Sequence, residues 1–339
     1  MARRTLPPFG PVRVDDDRSE RPRLFVVVDT EEEFDWGAPF SRASTSVTAM
    51  RHVDRVQRLC DAAGLVPTYV IDYPVATQPE GFETLRAWAR DGRCRIGAHL
   101  HPWVTPPFDE PVTSANSFAA NLPAALQTAK LEVLCGAIAE HTGVTPRVFK
   151  AGRYGISAPL LGAFEPLGLQ IDASVNPCMD FTGEAGPSFL AFDARPFWFG
   201  PGDALLETPC THGFVGMARG GGVGLAALAR RLEAVRMPGI LSRAGVLNQV
   251  MLSPEGNTLD EMIALTRALV ADGVRTFSLT FHSPSVVPGH TPYVRSQADL
   301  DAFLSCIERY FVFFFGEAGG VPSTPEAFRR ARLGEAPSP

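Results

Sequence analysis

The sequence predicts an α/β protein built on a mainly parallel sheet or barrel. Three observations carry this. Short apolar runs alternate with stretches of three- and four-residue hydrophobic spacing, the order that produces parallel strands joined by helices. The apolar runs are continuous, as in strands buried on both faces. The chain has 339 residues and 45% hydrophobic content, enough for a single barrel domain of the common size of about 250 residues.

Residues 1–22 are rich in proline and arginine and are expected as a flexible tail. RLFVVVDTE (Arg23 to Glu31) reads as the first buried strand, with acids emerging at its end. Val47, Met50, Val53, Val56, Leu59 and Cys60 then recur at helical steps, and Gly64 supplies the stop. VPTYVID (Val66 to Asp72) is the next strand. A helix over Phe82 to Arg90 and a strand over Cys94 to His99 follow. Asn121 to His141 is a long helix ending at Gly143. Arg147 to Ala151 is a strand, Pro159 to Leu167 a helix and Leu169 to Ser174 a strand. Residues 176–224 break the rhythm with Gly, Pro and Phe, and are expected as strand-and-loop insertions. GGGVG (Gly220 to Gly224) reads there as a flexible joint. It lacks the Lys-Ser/Thr of a phosphate-binding loop. Strands at Gly245 to Leu252 and Val274 to His282 alternate with helices at Leu259 to Ala271 and Leu300 to Phe315. The expected domain runs over 23–333, with 334–339 as a C-terminal tail.

Composition narrows the function. With 31 basic and 37 acidic residues the net charge is −6, and no basic stripe marks a nucleic-acid partner. The pI is 5.7. No apolar run approaches the ~18 residues that span a membrane. The N-terminal arginines precede no apolar stretch, so no secretory signal is read there. Cysteines 60, 94, 135, 178, 210 and 306 form no C-x-x-C pair. They are expected reduced and mostly buried, which points to the cytoplasm. Oligomeric state is not legible.

In parallel barrels, polar residues at the carboxyl ends of strands converge on one site. Here those ends carry Asp29-Thr30-Glu31, His99-Leu100-His101, Lys150 to Arg153, Asp172 and His282. Asp29 and Glu31 are two apart, as are His99 and His101, so each pair points to one side of an extended chain. Two imidazoles and a carboxylate make three ligands and leave a position open, the pattern of a catalytic zinc-type site. Zinc suits the donors, and iron, nickel or cobalt also fit. Glu32 and Glu33 read as a solvated acidic loop.

Taken together, VVVDTE, IGAHLHP, FKAGRYG, QIDAS and FSLTFH resemble, in order and strand-end placement, the motifs of the polysaccharide deacetylase family, also called the NodB-homology fold or carbohydrate esterase family 4. The resemblance spans about Leu24 to His282 and implies a distorted (β/α) barrel of about seven parallel strands with inserted loops. It also implies a site. Asp29 resembles the general base, and Glu31, His99 and His101 the ligands of a divalent metal. His282 resembles the general acid, and Arg153 or Lys150 the cation that pairs with the base. The Tyr154 backbone N–H resembles an oxyanion donor. Three departures stand out. Only Leu100 separates the histidines, the acids are Asp and Glu with Thr30 between them, and Lys150 stands where an Arg is expected.

The expected activity is metal-dependent removal of N-acetyl groups from an amino-sugar-containing glycan, in surface-polysaccharide or lipopolysaccharide synthesis. Trp36, Trp103, Asp172 and His212 are expected to line the carbohydrate site, and His290 to be a surface-loop residue. Two rivals stand beside this reading. An amidohydrolase-type metal barrel would carry His-x-His on its first strand, where this chain has Asp-Thr-Glu. A glycan-binding barrel without turnover is allowed by the contracted histidine motif and by Lys150. No G-x-S-x-G supports a serine hydrolase.

Overall fold

The computed structural model describes residues 4–15, 17–222, 224 and 246–335. In chain order the strands and helices are β1 (Arg4–Leu6), β2 (Gly10–Val14), β3 (Arg23–Thr30), α1 (Asp54–Ala62), β4 (Thr68–Ile71), α2 (Tyr73–Thr77), α3 (Pro79–Arg90), β5 (Arg95–Leu100), α4 (Ala124–Thr142), β6 (Val148–Ala151), α5 (Ala158–Gly162), α6 (Phe164–Leu167), β7 (Ile171–Asp172), β8 (Phe197–Phe199), β9 (Leu205–Glu207), β10 (His212–Val215), β11 (Asn248–Met251), α7 (Leu259–Ala271), β12 (Thr276–His282), α8 (Gln297–Gly316), β13 (Val321–Pro322) and α9 (Pro325–Leu333).

Seven strands run parallel in the order β9-β7-β6-β5-β4-β3-β12. Antiparallel β8, β2 and β1 extend the sheet beyond β9. No continuous ladder closes it into a barrel among the described residues. Instead the β10–β11 hairpin lies at the seam. The Thr280 N–H of β12 donates to Leu252 O at 3.1 Å, and the Cys210 N–H donates to Val175 O at 2.8 Å.

The alternation of side chains across these strands decides what reaches the site. Leu24, Val26 and Val28 of β3 pack into the large core under the helices, while Phe25 and Val27 join a second cluster with Val70, Val148, Ile171, Trp198, Leu206 and Phe328. A strand places i, i+2 and i+4 on one face. Asp29 therefore continues the Phe25–Val27 face, and Lys150 continues the face of Val148. On β5, Ile96, Ala98 and Leu100 belong to the helix-side core, which leaves Gly97 and His99 on the opposite face. On β12, Phe277, Leu279 and Phe281 do the same, leaving Ser278, Thr280 and His282.

Three expectations are corrected. The stretch before β3 is no loose tail over its described length: β1 and β2 are strands, and Phe9 is buried among Phe192, Phe197 and Phe199 with ring centroids 4.9–5.8 Å away. The proline content hid an edge hairpin whose aromatic residue completes the core. The strand expected over Val66 to Asp72 spans only Thr68–Ile71, and Asp72 starts a helix instead. It caps α2, accepting from the Val75 N–H, and is fully buried. The helix expected over 159–167 is broken into α5 and α6 at Ala163. The GGGVG joint and the start of the strand expected from 245 lie partly outside the described residues. None of the six cysteines is in a disulfide, and four of them are buried. No helix among the described residues is long and apolar enough to cross a membrane.

Gly97 sits where the sheet is tightest. A Cβ there would lie 2.7 Å from Val148 O and 2.8 Å from Val70 Cγ1. Gly97→Ala is expected to cost about 1–3 kcal/mol by overpacking, read as a lower urea midpoint. An unchanged midpoint would show that the β4–β5–β6 ladder yields freely.

Candidate metal centre and active site

Glu31, His99 and His101 meet at the carboxyl ends of β3 and β5, all nearly fully buried. One carboxylate oxygen of Glu31 lies 3.4 Å from Nε2 of each imidazole. Its other oxygen is buried without a hydrogen-bond partner. Each ring is held from behind. His99 Nδ1 is 3.0 Å from Lys150 O. A carbonyl only accepts, so Nδ1 carries a proton, and in the neutral ring that leaves Nε2 bare. His101 Nδ1 lies 2.8 Å from Glu32 Oε2, and the Trp103 indole N–H donates to Glu32 Oε1 at 2.7 Å. Burial pushes His101 down to about 4 and lowers His99, helped by the neighbouring ring. Burial thus favours the neutral form of both rings, and each Nε2 faces an under-satisfied buried carboxylate. Burial raises Glu31 itself. A divalent cation neutralises that donor set, and a hydrogen-bonded Nδ1 is the usual support of a ligating histidine. The residues fit a metal.

The contracted His-x-His motif brings both rings to Glu31 because it lies at a strand end. His101 follows β5 directly and keeps the extended alternation, so both rings reach Glu31 without a helical turn between them. Gly152 makes room for this. A Cβ there would sit 2.6 Å from Leu100 O and closer still to the His101 ring.

Asp29 lies beside this set. The Lys150 ammonium reaches both of its carboxylate oxygens at 2.7 Å and also donates to Thr280 Oγ1 at 2.9 Å. Burial would raise Asp29, but the Lys150 charge, with His99 and His282, holds it below its ordinary value. Opposite stands His282, with Nε2 4.0 Å from Asp29 Oδ2. Its Nδ1 lies 2.7 Å from Glu255, which also accepts from the His282 backbone N–H at 3.0 Å. Burial lowers His282, yet the Glu255 and Glu31 carboxylates outweigh it and carry it up to about 10. These groups open into a cavity of ≈ 370 Å³ whose walls include Phe34, Trp36, Phe40, Phe118, Phe181 and Tyr293.

Of the two cations expected at the base, the structure selects Lys150. Arg153 faces the cavity but bonds Ser117 Oγ at 2.6 Å, pairs with Glu184 and lies 4.0 Å over the Phe118 ring. Tyr154 lines the cavity, and Arg153 and Tyr154 have φ of 51° and 61°. Such backbone costs about 1–3 kcal/mol per residue and concentrates at functional sites.

The expected lining residues divide. Trp36 is 39% exposed and stands edge-on to His282 at 5.2 Å. Trp103 borders the cavity but is 2% exposed, stacked 4.3 Å over His101. It supports a ring rather than presenting a platform. Asp172 is not in the site. Its neighbour Ile171 takes the inner face, so Asp172 points outward against Glu207, its partner in register on β9. His212 is also elsewhere, buried in the hairpin with Nδ1 2.7 Å from Asn176 Oδ1. His290 pairs with Glu33 at 3.4 Å. Sequence reasoning missed Glu32 and Glu255. Glu32 is fully buried, not solvated. Glu255 follows β11 closely, so the strand-end rule applied to that strand would have found it.

The class is therefore a parallel α/β sheet whose polar site lies at the carboxyl strand ends. Within that class, the chain has the fold of a solved structure from Mycobacterium smegmatis, assigned there as a polysaccharide deacetylase. The TM-score is 0.52 at 13% identity, covering 95% of this chain and 94% of that one. Two looser matches are a family 4 carbohydrate esterase from Streptomyces lividans in complex with acetate (TM-score 0.41, 12% identity, 88% and 90% covered) and the peptidoglycan deacetylase PdaC from Bacillus subtilis (0.43, 8%, 94% and 94%). No protein-family model and no curated protein sequence matches the chain.

The Asp172–Glu207 pair makes a pH test away from the cavity. Burial and the neighbouring carboxylate hold Glu207 well above its ordinary value, and burial raises Asp172 to about 6. In the unfolded chain both ionise near pH ~4. Between there and above pH 6 the folded state binds more protons, so stability falls as pH rises. Glu207→Gln is expected to flatten this part of the profile, measured by urea midpoints from pH 4 to 7. An unchanged slope would mean the pair is already ionised.

Proposed function

We propose that the chain is a divalent-metal-dependent hydrolase that removes N-acetyl groups from an amino-sugar-containing glycan. One observation carries the reading. A single cavity gathers a carboxylate held ionised by Lys150, a three-donor metal set, and a histidine backed by Glu255. Amide hydrolysis needs all three functions, because the carbonyl is a poor electrophile and the amine leaves only when protonated.

Zinc is the proposed metal, held by Glu31, His99 and His101; it would supply Lewis-acid polarisation of the amide carbonyl and acidify the attacking water. Asp29 takes the proton from that water as it attacks, and Lys150 stabilises the carboxylate until then. His282 gives a proton to the departing nitrogen, and Glu255 holds its ring and supports its positive charge. The Tyr154 backbone N–H would donate to the oxygen that gains charge, a role that rests on the resemblance of the motif; a donor of this kind is worth about 3–4 kcal/mol when lost. Trp36 packs on the apolar face of a sugar. Surface-polysaccharide or lipopolysaccharide synthesis is the setting proposed, on the resemblance of the motifs alone, and the cytoplasm the compartment, on the reduced cysteines.

Neither rival gains support. His-x-His lies on the third parallel strand of the chain rather than the first, and Lys150 is committed to Asp29. The contracted motif still presents both Nε2 atoms to Glu31, so it gives no reason for lost turnover.

The test is acetate release from a panel of N-acetylated amino-sugar oligomers by zinc-loaded protein. Asp29→Asn is expected to lower the rate about 10²–10⁴-fold while the zinc content stays. His99→Ala is expected to lose the metal. A D29N protein as fast as wild type would remove Asp29 as the base. Tight oligomer binding without acetate release from wild type would favour the binding-protein alternative.

A further inference from the structure

One buried cation grips the loop that follows His101. Lys130, midway along α4, is 0% exposed. Its ammonium donates to Pro102 O at 2.9 Å, Thr105 O at 2.6 Å and Pro107 O at 2.7 Å. An ammonium has three N–H donors, so the three carbonyls use them all. Glu110 balances the charge from 3.0 Å. Burying a charged pair this way is costly, and the other buried residues of α4 are mostly apolar, such as Leu131, Leu134 and Ile138, and otherwise uncharged. What an apolar side chain could not do at this position is gather three carbonyls of an irregular segment onto one point.

That segment carries what orients His101. The Val104 and Thr105 N–H groups both donate to His101 O, at 3.3 and 3.1 Å. Trp103 stacks on the His101 ring and holds Glu32, which holds His101 Nδ1. His99 has no such dependence, because Lys150 O on the neighbouring strand fixes its ring.

We propose that Lys130 is a positioning residue that sets the His101–Trp103 segment, and through it the facing of His101 Nε2 towards Glu31. The grip on the segment stands on the geometry alone. Its consequence for metal binding rests on reading Glu31, His99 and His101 as the metal set.

The test uses the full chain with Lys130→Met, the charge-balanced K130M/E110Q pair and the conservative K130R. Zinc is titrated into metal-free protein by calorimetry, and amide exchange is followed by mass spectrometry. K130M/E110Q is expected to bind zinc about 10–100-fold more weakly, the usual cost of losing a ligand's support. Exchange is expected to quicken over 102–110 while β3 and β5 keep their protection. K130R is expected to recover most of both. If K130M folds, it is expected to follow the pair; if it does not, the pair decides. Wild-type zinc affinity in the pair overturns the proposal. So does exchange that quickens across the whole sheet, which would make Lys130 an ordinary core support. If wild-type protein takes up no zinc, the metal reading fails instead. Exchange then still decides the grip: loosening confined to 102–110 upholds it, and none overturns it.

Discussion

The buried ion pair between Lys150 and Asp29 is the interaction on which the site depends. It joins β6 to β3 within the sheet, and Thr280 of β12 takes a further donor of the same ammonium. Removing one partner of such a pair typically costs 3–5 kcal/mol, because the other charge is left buried and alone. The pair also keeps a deeply buried carboxylate ionised, which burial alone would prevent. Lysine cannot form the two-pronged fork of arginine. Here it does not need one, since a single ammonium sits within hydrogen-bond reach of both carboxylate oxygens.

The rest of the site follows from two-residue alternation at strand ends. Asp29, His99, Lys150, Thr280 and His282 continue inner faces, and Glu31 and His101 extend two of them past the last ladder residue. Behind them lie buried groups. Glu32 holds His101 and Trp103, Lys150 O holds His99, and Glu255 holds His282. Burial, with the neighbouring Glu32, raises Asp72 well above its ordinary value, and burial, with the neighbouring Glu31, raises Glu32 to about 8.

Much of this was legible in the sequence for a physical reason. A short, valine-rich apolar run such as LFVVV reads as a doubly buried strand, and polar residues directly after such strands tend to gather at the site. The same rule failed where alternation was ignored. Asp172 ends a strand as Asp29 does, but it sits one residue out of phase and points away. Glu32 reads as solvated because acids cluster there, yet its burial depends on Asp72 at the N-cap of α2 and on His101 and Trp103 just after β5, all remote in sequence. The β1–β2 hairpin is hidden in the sequence because prolines and arginines mask an edge anchored by three scattered buried residues, Leu6, Phe9 and Val12. Lys130 carried no sequence signal at all, since a lysine within a helix normally reaches water.

The most direct measurement is anomalous diffraction at the zinc edge from crystals of the metal-loaded protein. The account requires one ion at ~2.0–2.2 Å from a Glu31 oxygen and from Nε2 of His99 and His101, with Lys150 still paired to Asp29. An ion bound through Asp29 in place of Glu31, or no ion between the two histidines, would contradict it.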